Sequence, residues 1–394
     1  MKRFLYWLKP GLGSRQMLEQ KNANAGLIAF HGGGVPSWSM FENGGSARNG
    51  FCRNPVVYRC VSMISETAAS VPLKVCEDRL DCDEHPLLDV LARPNMRQSG
   101  AKLLESLYAH LLISGNAYLT RIHLGDDLRE IHVLDPQKVS VTAEEQGWPV
   151  EYTYASKQER TVYRQDRERP EVLHLSLFNP LNETDGLSPV SAAHMALDIH
   201  NSASAWNKAL LDNSARPSGA LVYASAAGEN LTDDQFNRLK GELEEGYTGA
   251  GRAGRPMVLE GGLDWKSMGF SPRDMDFLQA KNGAAREIAL AFGVPPMLLG
   301  IPGDNTYSNY REANLAFWRQ TVMPLVEKTA RDLGIWLSAD FGPDITLAAA
   351  TDHVSVFASE REMHWNRIDR ASFLTSDEKR EILGFSPLED DDVA

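Results

Sequence analysis

The chain has 394 residues, 43% of them hydrophobic and 24% charged, and a formal net charge of −13. That length exceeds the ~250–300 residues at which a single core stops growing, so more than one domain is expected. The acidic balance argues against a protein that grips nucleic acid by its phosphates, which needs a basic footprint, and no apolar run approaches the ~20 residues of a membrane span. An acidic protein that lets nucleic acid slide past without sticking remains compatible with it.

The opening MKRFLYWLKP carries two basic residues, but Pro10 ends its apolar run too early for a signal peptide. Residues 1–50 finish in a Gly-, Asn- and Ser-rich stretch, HGGGVPSWSMFENGGSARNG, with no period, and are expected to form a disordered arm. Order is expected from RNPVVYRCVSMISETAASVPLKV. Asn54 can cap a helix, Pro55 suits its first position, and Val57, Cys60, Val61, Ile64 and Ala68 make one apolar stripe. Pro72 ends that helix. HPLLDVLARPN is a short helix between prolines, and SGAKLLESLYAHLLISGNAYL predicts a longer one that stops near Gly115 and Asn116. From Ala117 to Leu177 the pattern turns to strands: AYLTRIHL, LREIHVL, KVSVTAE, VEYTYAS and EVLHLSL. Helices followed by short strands predict an α+β domain over 51–187. The four cysteines (Cys52, Cys60, Cys76, Cys82) lack the C-x2-C spacing of common zinc sites and are taken as free thiols, not a metal centre.

A second helix is expected over 188–214, capped by Ser188 with Pro189 in the first position. An insert follows: strand GALVYA, helix LTDDQFNRLKGELEEGY, a Gly-rich turn, then strands PMVLEG and LDWKSMGF. A third long helix, 271–293, starts with the capping signature Ser271, Pro272 and Asp274, and Gly283, Ala284 and Ala285 would let a neighbouring helix come close. FGVPPMLLGIPGDNTYSNY then closes that helix and opens another at about 309–333. Pro324 inside it should kink it near residue 320. The last residues form a helical tail with an acidic end.

Catalytic signatures are missing. No Gly-Lys pair occurs, so the phosphate-binding G-x4-G-K-[S/T] is absent, and HGGGV at 31–35 has no G-x-S-x-G elbow to accompany it. His194 and His200 are six apart on one helix and so face different ways. The stretch at 300–308 could bind an anion at the following helix start, but Asp304 opposes that and no basic residue precedes Arg311. A hydrolase with its site between the α+β domain and the insert, or a scaffold or adaptor that forms no pore, are the rival classes to a conduit.

The order of these parts resembles the portal proteins of tailed bacteriophages, in the branch of short portals found with long tails. NPVVYRCVSMISETAASVPLKV resembles the family's first ordered helix and strand, and GLSPVSAAHMAL its G-x-S-P helix start. RPMVLEGGLDWKSMGFSPRDMDFLQAKNGAAREIALAFGVPPMLLG carries its most recognisable block, and TYSNYREANLAFWRQTVMPLVEK its helix with an internal proline. FLTSDEKREILGFSPL resembles its C-terminal motif, with Ser372 in place of glycine and Asp377 in place of asparagine. The resemblance implies a helix-rich α+β subunit with wing, stem, clip and crown regions, and no enzyme, cofactor or metal. It implies a ring of twelve copies at one capsid vertex of a phage or a gene transfer agent particle, assembled in the bacterial host cytoplasm. Double-stranded DNA would pass through the channel. The partners would be terminase, a head–tail connector or adaptor and the major capsid protein, with no membrane.

Carried onto this sequence, 51–187 would be the wing, 188–214 and 271–299 the stem, and 215–270 the clip. Residues 300–308 would be the tunnel loop, 309–359 a kinked helix returning to the wing, and 360–394 the crown and tail. Gly303, Asp304, Asn305, Thr306, Tyr307 and Ser308 would then face DNA, with Arg273, Lys281 and Arg286 as channel-facing stem positions.

Overall fold

A computed structural model of the chain describes residues 50–77, 80–82, 84–144, 148–156, 159–212, 219–223, 232–247, 263–267, 277–303 and 307–383. Contacts separate a first unit, Met1–Ser37, from a second, Trp38–Ala394. The first unit, and nearly all of the arm expected at 1–50, lies outside the described residues.

The second unit is helix-rich α+β, and its elements begin where the sequence offers caps. Helix α1 (Pro55–Ala69) starts on Asn54, whose side-chain oxygen accepts from the N–H groups of Val56 and Val57. That answers two of the donors a helix start leaves orphaned. The expected stripe, Val57 through Ala68, is buried, and burial pushes the Cys60 thiol up to about 12, so this sulfur is inert. Strands β1 (Leu73–Glu77) and β2 (Leu80–Cys82) follow, then α2 (Pro86–Ala92) and α3 (Gly100–Ser114). Helix α3 stops where expected, on Gly115 in the left-handed region.

The next six strands are β3 (Asn116–Leu124), β4 (Asp127–Leu134), β5 (Val139–Ala143), β6 (Pro149–Ala155), β7 (Arg160–Arg164) and β8 (Val172–Ser176). They form two antiparallel sheets, ordered β4-β3-β8 and β5-β6-β7. Tyr118, Leu134, Tyr152 and Val172 bury a small core between them. Five of the six were expected. β7 was not: RTVYR is charged at both ends and sits on a sheet edge, where burial imposes little alternation.

The single helix expected over 188–214 is two. Ser188 caps α4 (Pro189–Ala192) as expected, but Ala193 leaves the helical region before α5 (His194–Asp212) begins. The insert contributes β9 (Gly219–Tyr223), α6 (Asp233–Tyr247) and β10 (Leu263–Ser267), with β9 and β10 paired antiparallel. The expected strand PMVLEG and the cap at Ser271 lie outside the described residues. Helix α7 (Phe277–Ala291) packs against α5. Ala284 and Ala285 are buried, whereas a Cβ on Gly283 would meet nothing within 4 Å, so close packing here does not depend on that glycine.

The helix expected at 309–333 starts earlier and ends later. It comprises α8 (Tyr307–Phe317), a wide π turn at Trp318–Val322, and α9 (Met323–Phe341). A kink from Pro324 was expected near residue 320; what stands at that position is the π turn. The span 309–359 also holds a strand, β11 (Ile345–Ala349), whose residues alternate towards the core and pair antiparallel with β1, Leu73 opposite Ala349. Gly342, at φ 119°, and Pro343 separate it from the helix. Helices α10 (Ala358–Asp369) and α11 (Ser376–Ile382) finish the described chain. Thr375 and Glu378 form a reciprocal capping box, so Ser372 and Asp377 leave the α11 start intact.

Helices α1, α3, α7 and α9 share one core, with Ile64, Leu107, Ile288 and Leu333 at most 1% exposed. A polar weld joins α9 to β3. Asp340 accepts from Arg121 Nη1 at 2.6 Å, from Arg169 Nη2 at 2.6 Å and meets His123 Nε2 at 3.0 Å. Arg121 also donates to the Trp336 carbonyl and lies over the Trp336 ring, and Trp336 Nε1 donates to the Pro170 carbonyl. Burial pushes Asp340 upward, yet the hydrogen bonds from Arg169 and His123 and the Arg121 charge outweigh it and hold the carboxyl below its ordinary range.

Candidate functional site

The segment between α7 and α8 is built as a loop with a fastened base. Gly293, at φ 67°, turns the chain after α7, and the Val294 N–H reaches back to the Ala289 carbonyl at 2.9 Å. The Gly293 carbonyl accepts from Thr321 Oγ at 2.6 Å, and a Cβ on Gly293 would stand 2.8 Å from that same oxygen. Both its backbone angle and its neighbour therefore call for glycine. Because Thr321 belongs to the π turn, this bond joins the end of α7 to the irregular part of the helix beyond the loop.

A 3-10 turn, Pro296–Leu299, closes on Gly300 at φ 71°. Ile301, 8% exposed, then packs on Ala285 and Ala289 of α7. One residue on, Arg286 of α7 donates to the Pro302 carbonyl, and a Cβ on Gly303 would stand 2.6 Å from its guanidinium. The loop base is thus held at three points: an apolar plug at Ile301, an arginine on Pro302 and a hydroxyl on Gly293.

Of the residues expected to face DNA, Gly303 ends this fastened base. Asp304, Asn305 and Thr306 lie outside the described residues, and Tyr307 and Ser308 open α8. Arg273 is also outside them. Arg286 and Gly303 meet. Lys281 does not join them: five residues earlier on α7, it lies about 140° around the helix from Arg286. Lys281 instead stands near His200 of α5. Burial holds His200 below the ordinary imidazole value, and the Lys281 charge adds to that. Asn54 Nδ2 meets His200 Nδ1 at 3.0 Å and donates to Asn201 Oδ1 at 2.9 Å. With an amide N–H opposite, His200 Nδ1 accepts, which is the role of a neutral ring. One residue, Asn54, therefore caps α1 and fastens it to α5.

Three contributors had no signal of this role in the sequence. Thr321 lies in a stretch distinguished by its proline, Asn54 is legible as a cap but not as a tie to α5, and nothing marks Asp340. Among the described residues, no group of three or more His, Cys, Asp or Glu could hold a metal, and no helix is long and apolar enough to cross a membrane. Among the described residues, the segment after α7 is fastened back onto that helix, and no nucleophile, acid and base are arranged together there.

Comparison with known proteins identifies relatives of the chain as a whole. The family model described as phage portal protein matches residues 55–384. A Rickettsia bellii protein described as uncharacterized is 43% identical over 345 residues, covering 86% of this chain and 88% of that one. The portal protein of Enterobacteria phage HK97 is 28% identical over 299 residues, covering 73% of this chain and 68% of its own. Among solved structures, a chain in the neck of a native gene transfer agent particle computed with C12 symmetry is 47% identical, with a TM-score of 0.69 over 91% of this chain and 97% of that one.

Proposed function

This chain belongs to the phage portal protein family, and we propose that twelve copies of it close into a ring at one vertex of a gene transfer agent particle, through which double-stranded DNA is packaged and released. The family is structural, not enzymatic, so function here rests on shape and assembly. The observation that carries the reading is the 47% identity to a neck component of a particle computed with C12 symmetry. That particle is itself a gene transfer agent, which favours this kind of particle over a tailed phage.

In this reading 51–187 is the wing, α5 and α7 line the stem, and the insert at 215–270 is the clip that meets the terminase and later the head–tail connector. The wing would meet the major capsid protein, and 360–394 would form the crown. A closed ring needs two different, complementary faces on each copy. The loop at 300–308 is the element that touches DNA. A chain of net charge −13 suits a conduit, because every phosphate neutralised by the wall adds salt-sensitive grip and would slow passage.

Electron microscopy of the purified protein tests the ring: twelve-fold views with a central hole wide enough for duplex DNA are expected. A stable monomer at high concentration would overturn it, and a solid assembly without a hole would point to an adaptor. Deleting residues 302–308 should leave the rings intact and reduce the DNA retained per particle. Loss of folding on that deletion would make the loop a structural turn.

A further inference from the structure

The end of α1, the start of β1, α2 and the start of α3 leave an open apolar slot of about 500 Å³. Val71, Leu73, Leu88, Leu91 and Leu104 line it, and Leu73, Leu88 and Leu91 are only half-buried. At Ser99 the slot runs into a second depression of about 610 Å³, lined by Arg93, Arg97 and Arg129. Glu130 is the one carboxylate in that lining, so three positive side chains face one negative.

Arg129 stands on β4, and the turn that carries Arg93 and Arg97 is pinned to that strand. Asn95 Nδ2 donates to the Ile131 carbonyl at 2.9 Å, Asn95 Oδ1 accepts from the Arg97 N–H at 2.9 Å, and the Ile131 N–H donates to the Pro94 carbonyl at 2.7 Å. The nearby carboxylates are engaged, Asp127 with Arg129 at 3.1 Å and Glu130 with His132 at 2.8 Å. Arg93 and Arg97 are exposed and have no carboxylate partner among the described residues. An apolar slot continuous with unpaired positive charge selects a segment with an apolar side chain just ahead of a run of carboxylates.

The chain carries such a segment. Residues 384–394, GFSPLEDDDVA, place Phe385 and Leu388 ahead of Glu389, Asp390, Asp391 and Asp392. The segment also starts nearby. Leu383 lines one cleft with Thr351 and Asp352. Ala350, next in the chain to Thr351, donates its N–H to the Pro72 carbonyl at 2.8 Å, and Pro72 lines the apolar slot. Leu388 lies five residues beyond Leu383, so extended backbone carries it up to about 17 Å along that path. Pro387 favours such extended backbone at Ser386.

We propose that residues 384–394 fold back over this slot in the same copy, seating Leu388 among Leu73, Leu88 and Leu91 and setting the four carboxylates against Arg93, Arg97 and Arg129. The tail is then the resident occupant, and a partner of the same chemistry must displace it to bind.

The test uses the full chain with a photo-crosslinking benzoylphenylalanine at Leu388, prepared as a mixture of isotopically light and heavy copies. Mass spectrometry is expected to find crosslinks to Leu88 or Leu91 within one copy. The double variant Arg93→Glu, Arg97→Glu should lower their yield about tenfold, as should ~1 M salt, where charges are screened within ~3 Å. An unchanged melting temperature shows that the variant still folds. Crosslinks confined to the cleft by Thr351, crosslinks between light and heavy copies, no crosslinks, or a yield indifferent to both charge reversal and salt would each overturn the proposal.

Discussion

Arg121 and Arg286 each tie a helix to a neighbouring segment, and the two regions they serve differ in what surrounds the tie. Arg121 is 1% exposed and meets the carboxylate of Asp340, itself 2% exposed. Arg286 is exposed and donates to one backbone carbonyl at the loop base. A buried charge with its partner removed has nowhere to go, whereas an exposed guanidinium that loses a carbonyl simply returns to water. The sheet-bearing platform is therefore fastened for good, and the loop by contacts that can be released singly. The tie is buried where α9 meets β3 and exposed where α7 leads towards α8.

The sharpest way to break that comparison is Asp340→Ala. It strands Arg121 in the interior and should cost about 3–5 kcal/mol in chemical denaturation. A loss comparable to that of an exposed pair would mean the two ties are alike. The pH dependence should agree. Asp340 is held below its ordinary 3.8, so its contribution is present above that value and is lost as pH falls through the depressed one.

The next effect belongs to the same platform. His174 stacks on Tyr118 with ring centroids 4.4 Å apart and meets Asn116 Oδ1 at 2.9 Å, and burial lowers it from 6.5 to about 4. The folded ring stays neutral where the unfolded one takes up a proton. Stability is thus complete above about pH 6.5 and should decline by roughly 3 kcal/mol as pH falls to about 4. His174→Gln should flatten that slope in melts taken across this range, whatever its effect at neutral pH.

Asn54→Ala sits between the two regions. It removes a helix cap and the tie to α5, and a loss of about 1–2 kcal/mol is expected by urea titration. The smallest effect on stability should come from Arg286→Ala, under about 1 kcal/mol. Its readout is local: limited proteolysis within 302–308 should quicken about threefold or more while the global melt barely moves. Equal protease resistance would remove the distinction between a permanent and a releasable tie.

Much of the platform could be read from residue patterns, because caps and apolar periods are local. Asn54 and Pro55, Ser188 and Pro189, and the α1 stripe each state their own structure. The pairing of β1 with β11 could not be, since it joins Leu73 to Ala349 and no local pattern encodes a partner so far along the chain. Nor could the weld at Asp340. In AYLTRIHL, Arg121 has the character of a solvent-facing strand residue, and only the return of α9 buries it. At the candidate site, prolines and glycines marked both ends of the loop. Arg286 was singled out as a stem residue facing the channel, and its bond to Pro302 needs the chain to fold back on α7. Lys281 beside His200 has the same cause.

The π turn after the loop has a geometric consequence. The Met323 N–H bonds to the Trp318 carbonyl, five residues back, so the turn holds one residue more than an α-turn. Each residue of an α-helix advances the chain about 100° around its axis. Removing a single residue from 318–322 would let α8 run smoothly into α9, but would swing α8 and the loop about 100° out of aim and pull Thr321 off Gly293. The extra residue acts as an index pin, fixing the angular phase of the loop independently of the core contacts that hold α9.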